Sequence, residues 1–446
     1  MNKIVCKFGG TSLADANQIK KVCDIISENK NRKYIVVSAS GKRNKDDDKI
    51  TDLLINLHLN INDDKIKDDI LNILTTRYTE IITELGISLD INKELSFFID
   101  KSKNEKDVDY LASRGEYLSA KILSIYLDAM FLDTANVIIF NENKKLNFDK
   151  TYSNLKNCIE KFEREFPNKK IIIPGFYGSM DSGQIVTFSR GGSDITGSLV
   201  ARAINANLYE NWTDVSGVLF EDPRITDNPK IIDYITYTEL RELSYMGASV
   251  LHEAAIFPVS QVGIPINILN TNMPTDKGTM IVSSIPSIVK RKTVTGIAGK
   301  KGFSSILLQK ALMNEEIGFL SKLLKIFENE KISVEHCPTG IDTVSVIIKS
   351  ELLNKVKDRI IDKIKEELNP DVIVFENELA LIAIVGEGMT YSKKINTSVF
   401  SLLSDANIAV KMIDQGSSGI NIIIGVSDSD YENAMKALSP LQNIND

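Results

Sequence analysis

Two short segments carry residues whose types and spacing could do phosphate chemistry. The first is Lys7-Phe8-Gly9-Gly10-Thr11-Ser12, at the end of a β-rich run and just before a helix-period stretch. A lysine at a strand end, two glycines and then hydroxyls at a helix start suit a polyphosphate. The glycines let backbone N–H groups approach oxygens closely, the helix start favours anions, and the ammonium neutralises charge that develops in transfer. This is not the Walker order, in which the lysine follows the glycines, and no Gly-x-Gly-x-x-Gly follows a strand. The competing reading is a glycine turn beside a surface lysine, and the motif alone leaves both open. The second segment is Phe188-Ser189-Arg190-Gly191-Gly192-Ser193-Asp194-Ile195-Thr196, again strand, glycine pair and helix start. Asp194 could be no more than a first-turn carboxylate. Arg190 beside two glycines has the planar fork that suits a carboxylate or phosphate. A third segment, Trp212 to Val218 leading to Asp222-Pro223-Arg224, reads in isolation as a strand end and ordinary turns.

The elements around these segments alternate. Strand-like runs at Lys3–Phe8, Tyr34–Ser38, Lys170–Pro174, Ile185–Phe188, Leu208–Trp212 and Pro265–Ile268 are separated by helix-period stretches. Those stretches include 14–28, 115–127, 194–206, 238–245 and 253–262. Such alternation predicts an α/β fold with a mostly parallel sheet covered by helices on both faces. Residues 63–106 are polar, helical and strand-free, which reads as a helical insertion. The mixed-charge run from Lys42 to Lys49 reads as a solvated loop.

After Ser283-Ser284-Ile285-Pro286-Ser287 the grammar changes to a duplicated unit. Ile306, Leu308, Leu324, Phe327, Ile332, Val334, Val344, Val346 and Ile348 have apolar counterparts 76 positions later. The shared order of strand, helix, strand, turn, strand predicts two βαββαβ units. A helix follows in each copy, at Leu352–Leu368 and Tyr431–Leu438. Only the first copy has an obvious fourth strand, Val372–Glu376. The orphan strand Thr293–Ala298 is therefore expected to complete the second unit. The division expected is 1–284, 285–376 and 377–446.

The chain has 446 residues and a formal charge of −7, with 43% hydrophobic and 25% charged residues. An acidic chain is a poor match for a phosphate backbone, so no nucleic-acid partner is expected. No apolar run is long enough to span a bilayer, and the first residues lead directly into a strand, so neither a membrane segment nor a signal peptide is expected. Cys6, Cys23, Cys158 and Cys337, like His58, His252 and His336, lack metal spacing, so no protein metal site is expected. The cysteines read as reduced thiols of a cytoplasmic protein. Alternation turns Cys6 away from Lys7, into the core.

Together, Lys7–Ser12, Val37-Ser38-Ala39-Ser40-Gly41, Ser113-Arg114-Gly115-Glu116, Arg190–Thr196, Trp212–Arg224, Gly247–His252, Val385–Met389 and Asp414–Ser418 resemble the aspartate kinases of the amino-acid kinase superfamily. The duplicated third resembles the paired ACT domains of that family. The resemblance implies ATP-dependent phosphorylation of the L-aspartate side-chain carboxylate, with Mg2+ accompanying ATP. This is the entry step to lysine, threonine and methionine synthesis. It implies that Lys7 stabilises the transferring phosphoryl group and that Asp194 orients Lys7. Gly9, Gly10, Thr213, Asp214 and Arg224 would hold the nucleotide. Ser38, Thr51, Glu116, Arg190 and Ser193 would form the aspartate pocket, Glu116 taking the ammonium and Arg190 the α-carboxylate. Feedback inhibition by lysine, with threonine as a second candidate, would act at Asn314, Gly318, Phe319, Leu320, Val334 and Glu335. A homodimer or higher homo-oligomer is expected. Ser249 departs from the lysine common in the family, and the Lys42–Lys49 loop lengthens the link to Thr51. Another amino-acid kinase of the same fold, or a non-catalytic amino-acid-binding regulator, are the alternatives. At this length a fused homoserine dehydrogenase is not expected.

Overall fold

The computed structural model describes residues 2–103, 107–189, 191–248, 251 and 253–444. The chain divides into two compact units. The first comprises 1–218, 231–237 and 250–285, and the second 219–230, 238–249 and 286–446.

The first unit is built on an eight-stranded sheet with the order β3-β5-β2-β1-β8-β10-β11-β9. Its strands are β1 (Ile4–Phe8), β2 (Arg32–Val37), β3 (Met130–Phe131), β5 (Ile171–Pro174), β8 (Leu208–Thr213), β9 (Tyr234–Thr236), β10 (Ile266–Asn270) and β11 (Thr279–Val282). All neighbours run parallel except β10 and β11. A second sheet of three strands, β4 (Ile139–Phe140), β6 (Tyr177–Met180) and β7 (Ile185–Thr187), sits in the same unit.

β1 lies between β2 and β8, so its five residues are all buried. Alternation then splits it into two faces. Ile4, Cys6 and Phe8 join a core with Ile19 and Val22 of the helix Ala16–Glu28 and with Leu118 and Ile122 of the helix Arg114–Tyr126. Lys7 points to the other face, against the helix Gly192–Ala203. Cys6 is thus a core thiol; burial, then the charge of Glu210, pushes its pKa well up.

The insertion is helical, as its composition predicts: Asp64–Leu85 and Ile91–Ser102, capped by Asp63 and Asp90. A third long helix, Phe148–Glu165, between β4 and β5, buries Thr151, Leu155 and Ile159.

In the second unit one continuous five-stranded sheet runs β13-β12-β14-β16-β15. These are β12 (Gly296–Gln309), β13 (Thr343–Lys349), β14 (Val372–Val385), β15 (Met412–Asp414) and β16 (Asn421–Ser427). β12 and β14 each serve both copies. Residues 303–309 pair with β13 and 305–309 with 372–376, while 296–300 pair antiparallel with 381–385, whose other edge takes β16. The orphan segment and the first copy's opening strand are one strand, bent by irregular pairing between Lys300 and Ser305. Each copy keeps its own core, around Phe327 in the first and Val399 in the second.

The repeat departs from a constant offset in one place. Ile306 faces Val346, but Ile382 faces Ile424, so the third strand lies 78 positions on rather than 76. Two extra residues in the second hairpin account for this. A slip of two preserves the alternation of faces, so apolar residues match at either offset. The expected helix 352–368 is also broken, into Ser350–Leu353 and Lys357–Leu368, by a turn at Asn354–Val356. Among the described residues no helix is long and apolar enough to cross a membrane.

Candidate functional site

The site lies where β1 and β8 end and the helix Gly192–Ala203 begins. Lys7 and Asn211 are register partners on adjacent parallel strands, so their side chains leave the same face. Lys7 Nζ lies 2.6 Å from Asp194 Oδ1, and the Asn211 amide donates to that same oxygen at 2.9 Å. The pair is largely enclosed, with 9% of the Lys7 side chain and 17% of that of Asp194 exposed. Asp194 is delivered by the first turn of its helix, entered through Gly191 at a φ of +60°. The helix is seated by the Tyr209 hydroxyl, which donates to the Asp194 carbonyl at 3.1 Å, and by Gly197, where any Cβ would strike the Tyr209 ring. Asp194 is therefore more than a first-turn carboxylate: it fixes the lysine ammonium.

Gly9 continues from this pair. Its N–H donates to the Trp212 carbonyl at 2.9 Å, and a Cβ here would come 3.7 Å from Lys7 Nζ. Gly10 opens a short 3-10 turn to Leu13 and meets a second glycine, Gly41. The Gly41 N–H donates to the Gly10 carbonyl at 2.8 Å, and a Cβ on Gly41 would sit 2.5 Å from the Gly10 carbonyl carbon. Residues 38–41 also meet Gly115. Ala39 packs so tightly on Gly115 that a Cβ there would approach its methyl to 2.7 Å.

Next to Gly115, Glu116 is buried, and burial pushes its pKa up to about 8 despite amide hydrogen bonds from Ala39 and from its own N–H and the nearby charge of Arg114. Its Oε2 is buried without a hydrogen-bond partner. A surface acid chosen for the helix dipole would have neither property. Arg114 itself is buried among the rings of Phe98, Tyr110, Tyr117 and Tyr177, at 4.7 to 5.6 Å from their centres.

The remaining sequence candidates distribute as follows. Ser193 is buried against Gly175, while Ser38 and Thr51 are half-buried at the end of β2 and the start of the helix Ile50–Leu59. Thr213 is half-buried at the end of β8 and donates to Asp214, which is exposed. Arg224 belongs to the second unit, exposed and ion-paired with Asp222 at 2.6 Å. Arg190, Ser249 and His252 lie outside the described residues.

Among the effector candidates, Asn314 lies in the turn Met313–Glu315, and Gly318 enters the helix Phe319–Asn329 at a φ of +84°. The Phe319 side chain is buried, Val334 packs beside it on the same core, and Leu320 is exposed. Glu335 is not a solvated acid: it receives the Tyr245 hydroxyl and lies 3.6 Å from Lys349 Nζ.

Sequence reasoning missed Arg77. It sits on the buried stripe Ile70, Leu74, Tyr78, Ile81 of the insertion helix, 2% exposed. An arginine in an apolar stripe was the available signal. It donates to the carbonyls of Gly41 at 2.6 Å and Asp48 at 2.7 Å. The Lys42–Lys49 loop is solvated on its outside yet pinned from below. Arg43 joins it to Glu80, and Asp47 is held down to a pKa of about 2, against the effect of burial, by Arg43 and Arg77.

The arrangement offers a fixed ammonium, two close-packed glycines and, joined to them through residues 38–41, a buried carboxylate with a free oxygen. Such groups suit a phosphorylated donor and an amine-bearing acceptor. A sequence model of the Amino acid kinase family matches residues 2–270, and one of the ACT domain matches 382–440. Aspartokinase 3 of Bacillus subtilis is 37% identical, over 97% of this chain and 97% of that protein. The crystal structure of Clostridium acetobutylicum aspartate kinase superposes with a TM-score of 0.88 at 48% identity, over 99% of this chain and 100% of that one. A structure of Escherichia coli aspartokinase III in complex with lysine and aspartate superposes with a TM-score of 0.72 at 25% identity, over 98% of this chain and 99% of that one.

Proposed function

The chain belongs to the aspartokinases of the amino acid kinase family, and we propose from that footing how its residues transfer phosphate from ATP to the side chain of L-aspartate. The observation that carries the assignment of roles is that residues 38–41 join the glycine turn beside the enclosed Lys7–Asp194 pair to a buried Glu116 with one unpartnered oxygen.

The nucleophile is a carboxylate, ionised at neutral pH, so no general base is needed. One carboxylate oxygen forms a bond to the γ-phosphorus as the bond from that phosphorus to the β,γ-bridging oxygen breaks, the electron pair leaving with ADP. Rate then comes from alignment and from neutralising the phosphoryl oxygens. Lys7 supplies the neutralising charge; Asp194, itself held by Asn211, keeps the ammonium aimed. Gly9 leaves the space beside the ammonium open, Gly10 brings its backbone amide close to the phosphates, and Thr213 and Asp214 hold the nucleotide. Mg2+ enters as part of the ATP substrate, carried largely by its phosphates.

Glu116 receives the aspartate ammonium on Oε2, and binding drives it to the ionised form. Arg190 takes the α-carboxylate, with Ser38, Thr51 and Ser193 completing the pocket. Residues 1–284 are assigned the catalysis and the two repeats, 285–376 and 377–446, the sensing. Lysine inhibits through the first repeat, its carboxylate at the N–H groups following Gly318 and its α-ammonium at Glu335. Ile317, Ile341 and Leu312 of that repeat are 97%, 71% and 64% exposed, which suits burial against a second copy. Four free cysteines suit a reducing cytoplasm.

ADP release with aspartate, glutamate and acetylglutamate, with and without lysine, tests this reading. Aspartate-dependent release that lysine suppresses is expected; release dependent on another acceptor would reject it.

A further inference from the structure

Arg77 has no place in the chemistry above, yet it is the most deeply buried arginine among the described residues, in a helix whose other buried positions are mostly apolar. A leucine there would continue the stripe without desolvating a charge. The cost of burying a guanidinium is substantial, and here it is only partly offset: Nε has no acceptor, and the nearest carboxylate oxygen, on Asp47, is 3.4 Å from Nη2. What the guanidinium does contact are the two ends of one loop. Nη2 donates to the Gly41 carbonyl at 2.6 Å and Nη1 to the Asp48 carbonyl at 2.7 Å.

Both ends lead into the site. The Gly41 N–H is bonded to the Gly10 carbonyl, and the same turn supplies the Ala39 amide to Glu116. Asp48 lies two residues before the helix Ile50–Leu59, which carries Thr51 in its first turn. We infer that Arg77 is a positioning residue: its fork ties the two ends of the 42–48 loop to the insertion helix and so sets the phosphate glycine Gly10 against the aspartate pocket. The inference rests on the proposed roles of Gly10, Glu116 and Thr51. It gives the helical insertion a function, as the strut on which that loop is stretched. A planar fork that reaches two carbonyls is not matched by lysine, whose single ammonium would reach one of them.

Transfer depends steeply on the relative placement of donor and acceptor, and hydrogen bonds from charged donors are the stronger kind. The test is steady-state kinetics of the full chain with aspartate and MgATP. Wild-type turnover with aspartate checks the functional reading independently of Arg77. Arg77→Ala and Arg77→Lys are each expected to lower kcat/KM for aspartate by roughly tenfold or more, with KM for ATP changing less than about threefold. Guanidinium ion should restore part of the Arg77→Ala loss, and methylammonium should not. Leu74→Ala, one turn away in the same core, should lower thermal stability without this kinetic signature. Arg77→Lys keeps the buried charge and serves if Arg77→Ala does not fold. Arg77 variants within twofold of wild type would overturn the inference. So would an equal loss for both substrates that guanidinium leaves unchanged and that Leu74→Ala reproduces.

Discussion

The protonation of Glu116 links aspartate binding to pH in a way that can be worked through. Burial raises its pKa from the ordinary 4.5 to about 8 in the free protein. Near neutral pH the carboxyl is therefore mostly protonated, and an ammonium arriving at Oε2 must expel that proton. The apparent KM for aspartate should fall as pH rises, by about 25-fold between pH 6.5 and 8.5 for a single proton, and then level off. At pH 7 binding should release about 0.9 proton, measurable by titration calorimetry in two buffers of different ionisation enthalpy. Stability runs the other way. The folded chain holds this proton more tightly than the unfolded chain, so stability is lost as pH rises from 4.5 through 8. At ~1.4 kcal/mol per unit the full cost is ~5 kcal/mol, reached above pH 8. Glu116→Gln should recover much of that cost at pH 8.5, and it should weaken aspartate binding and flatten its pH dependence. A KM that does not vary over this range, with no proton release, would refute the reasoning. So would a Glu116→Gln protein that kept the wild-type slope.

Other outcomes follow from single contacts. Lys7→Ala should keep its circular dichroism spectrum and lose on the order of a thousandfold in kcat, because it removes the ammonium that Asp194 aims. Gly41→Ala puts a methyl group 2.5 Å from the Gly10 carbonyl carbon, so the two turns must separate; kcat/KM should drop roughly tenfold or more in the ADP-release assay. Tyr245→Phe removes the hydroxyl that Glu335 now accepts, freeing that carboxylate for an effector ammonium. Lysine should then inhibit at a severalfold lower concentration in the same assay.

The parts of this protein that were legible in sequence are those with a strong local period or an unusual local chemistry. β1 was readable because it is a buried run ending in a lysine and two glycines, and the insertion because its acidic caps and helical period lack strand residues. The role of Glu116 was legible only through the family resemblance. Its position in a first helical turn permits a dipole explanation, and only burial against the 38–41 turn separates the two. Arg43, Asp47 and Arg77 escaped for a related reason. A mixed-charge run looks solvated whether or not a distant helix holds it, and the residue that holds this one lies 36 positions from Gly41. The repeat was legible because apolar faces alternate, and that same alternation hid the two-residue shift in its third strand. The break at Asn354–Val356 has no proline or glycine to announce it.

The most direct test of the account is to trap the product. An acyl phosphate reacts with hydroxylamine to give a hydroxamate, so the chain incubated with MgATP, L-aspartate and hydroxylamine should form β-aspartyl hydroxamate in step with ADP. Lysine should suppress both. ADP release without hydroxamate, or hydroxamate formed as readily from glutamate, would contradict transfer to the aspartate side chain between Lys7 and Glu116.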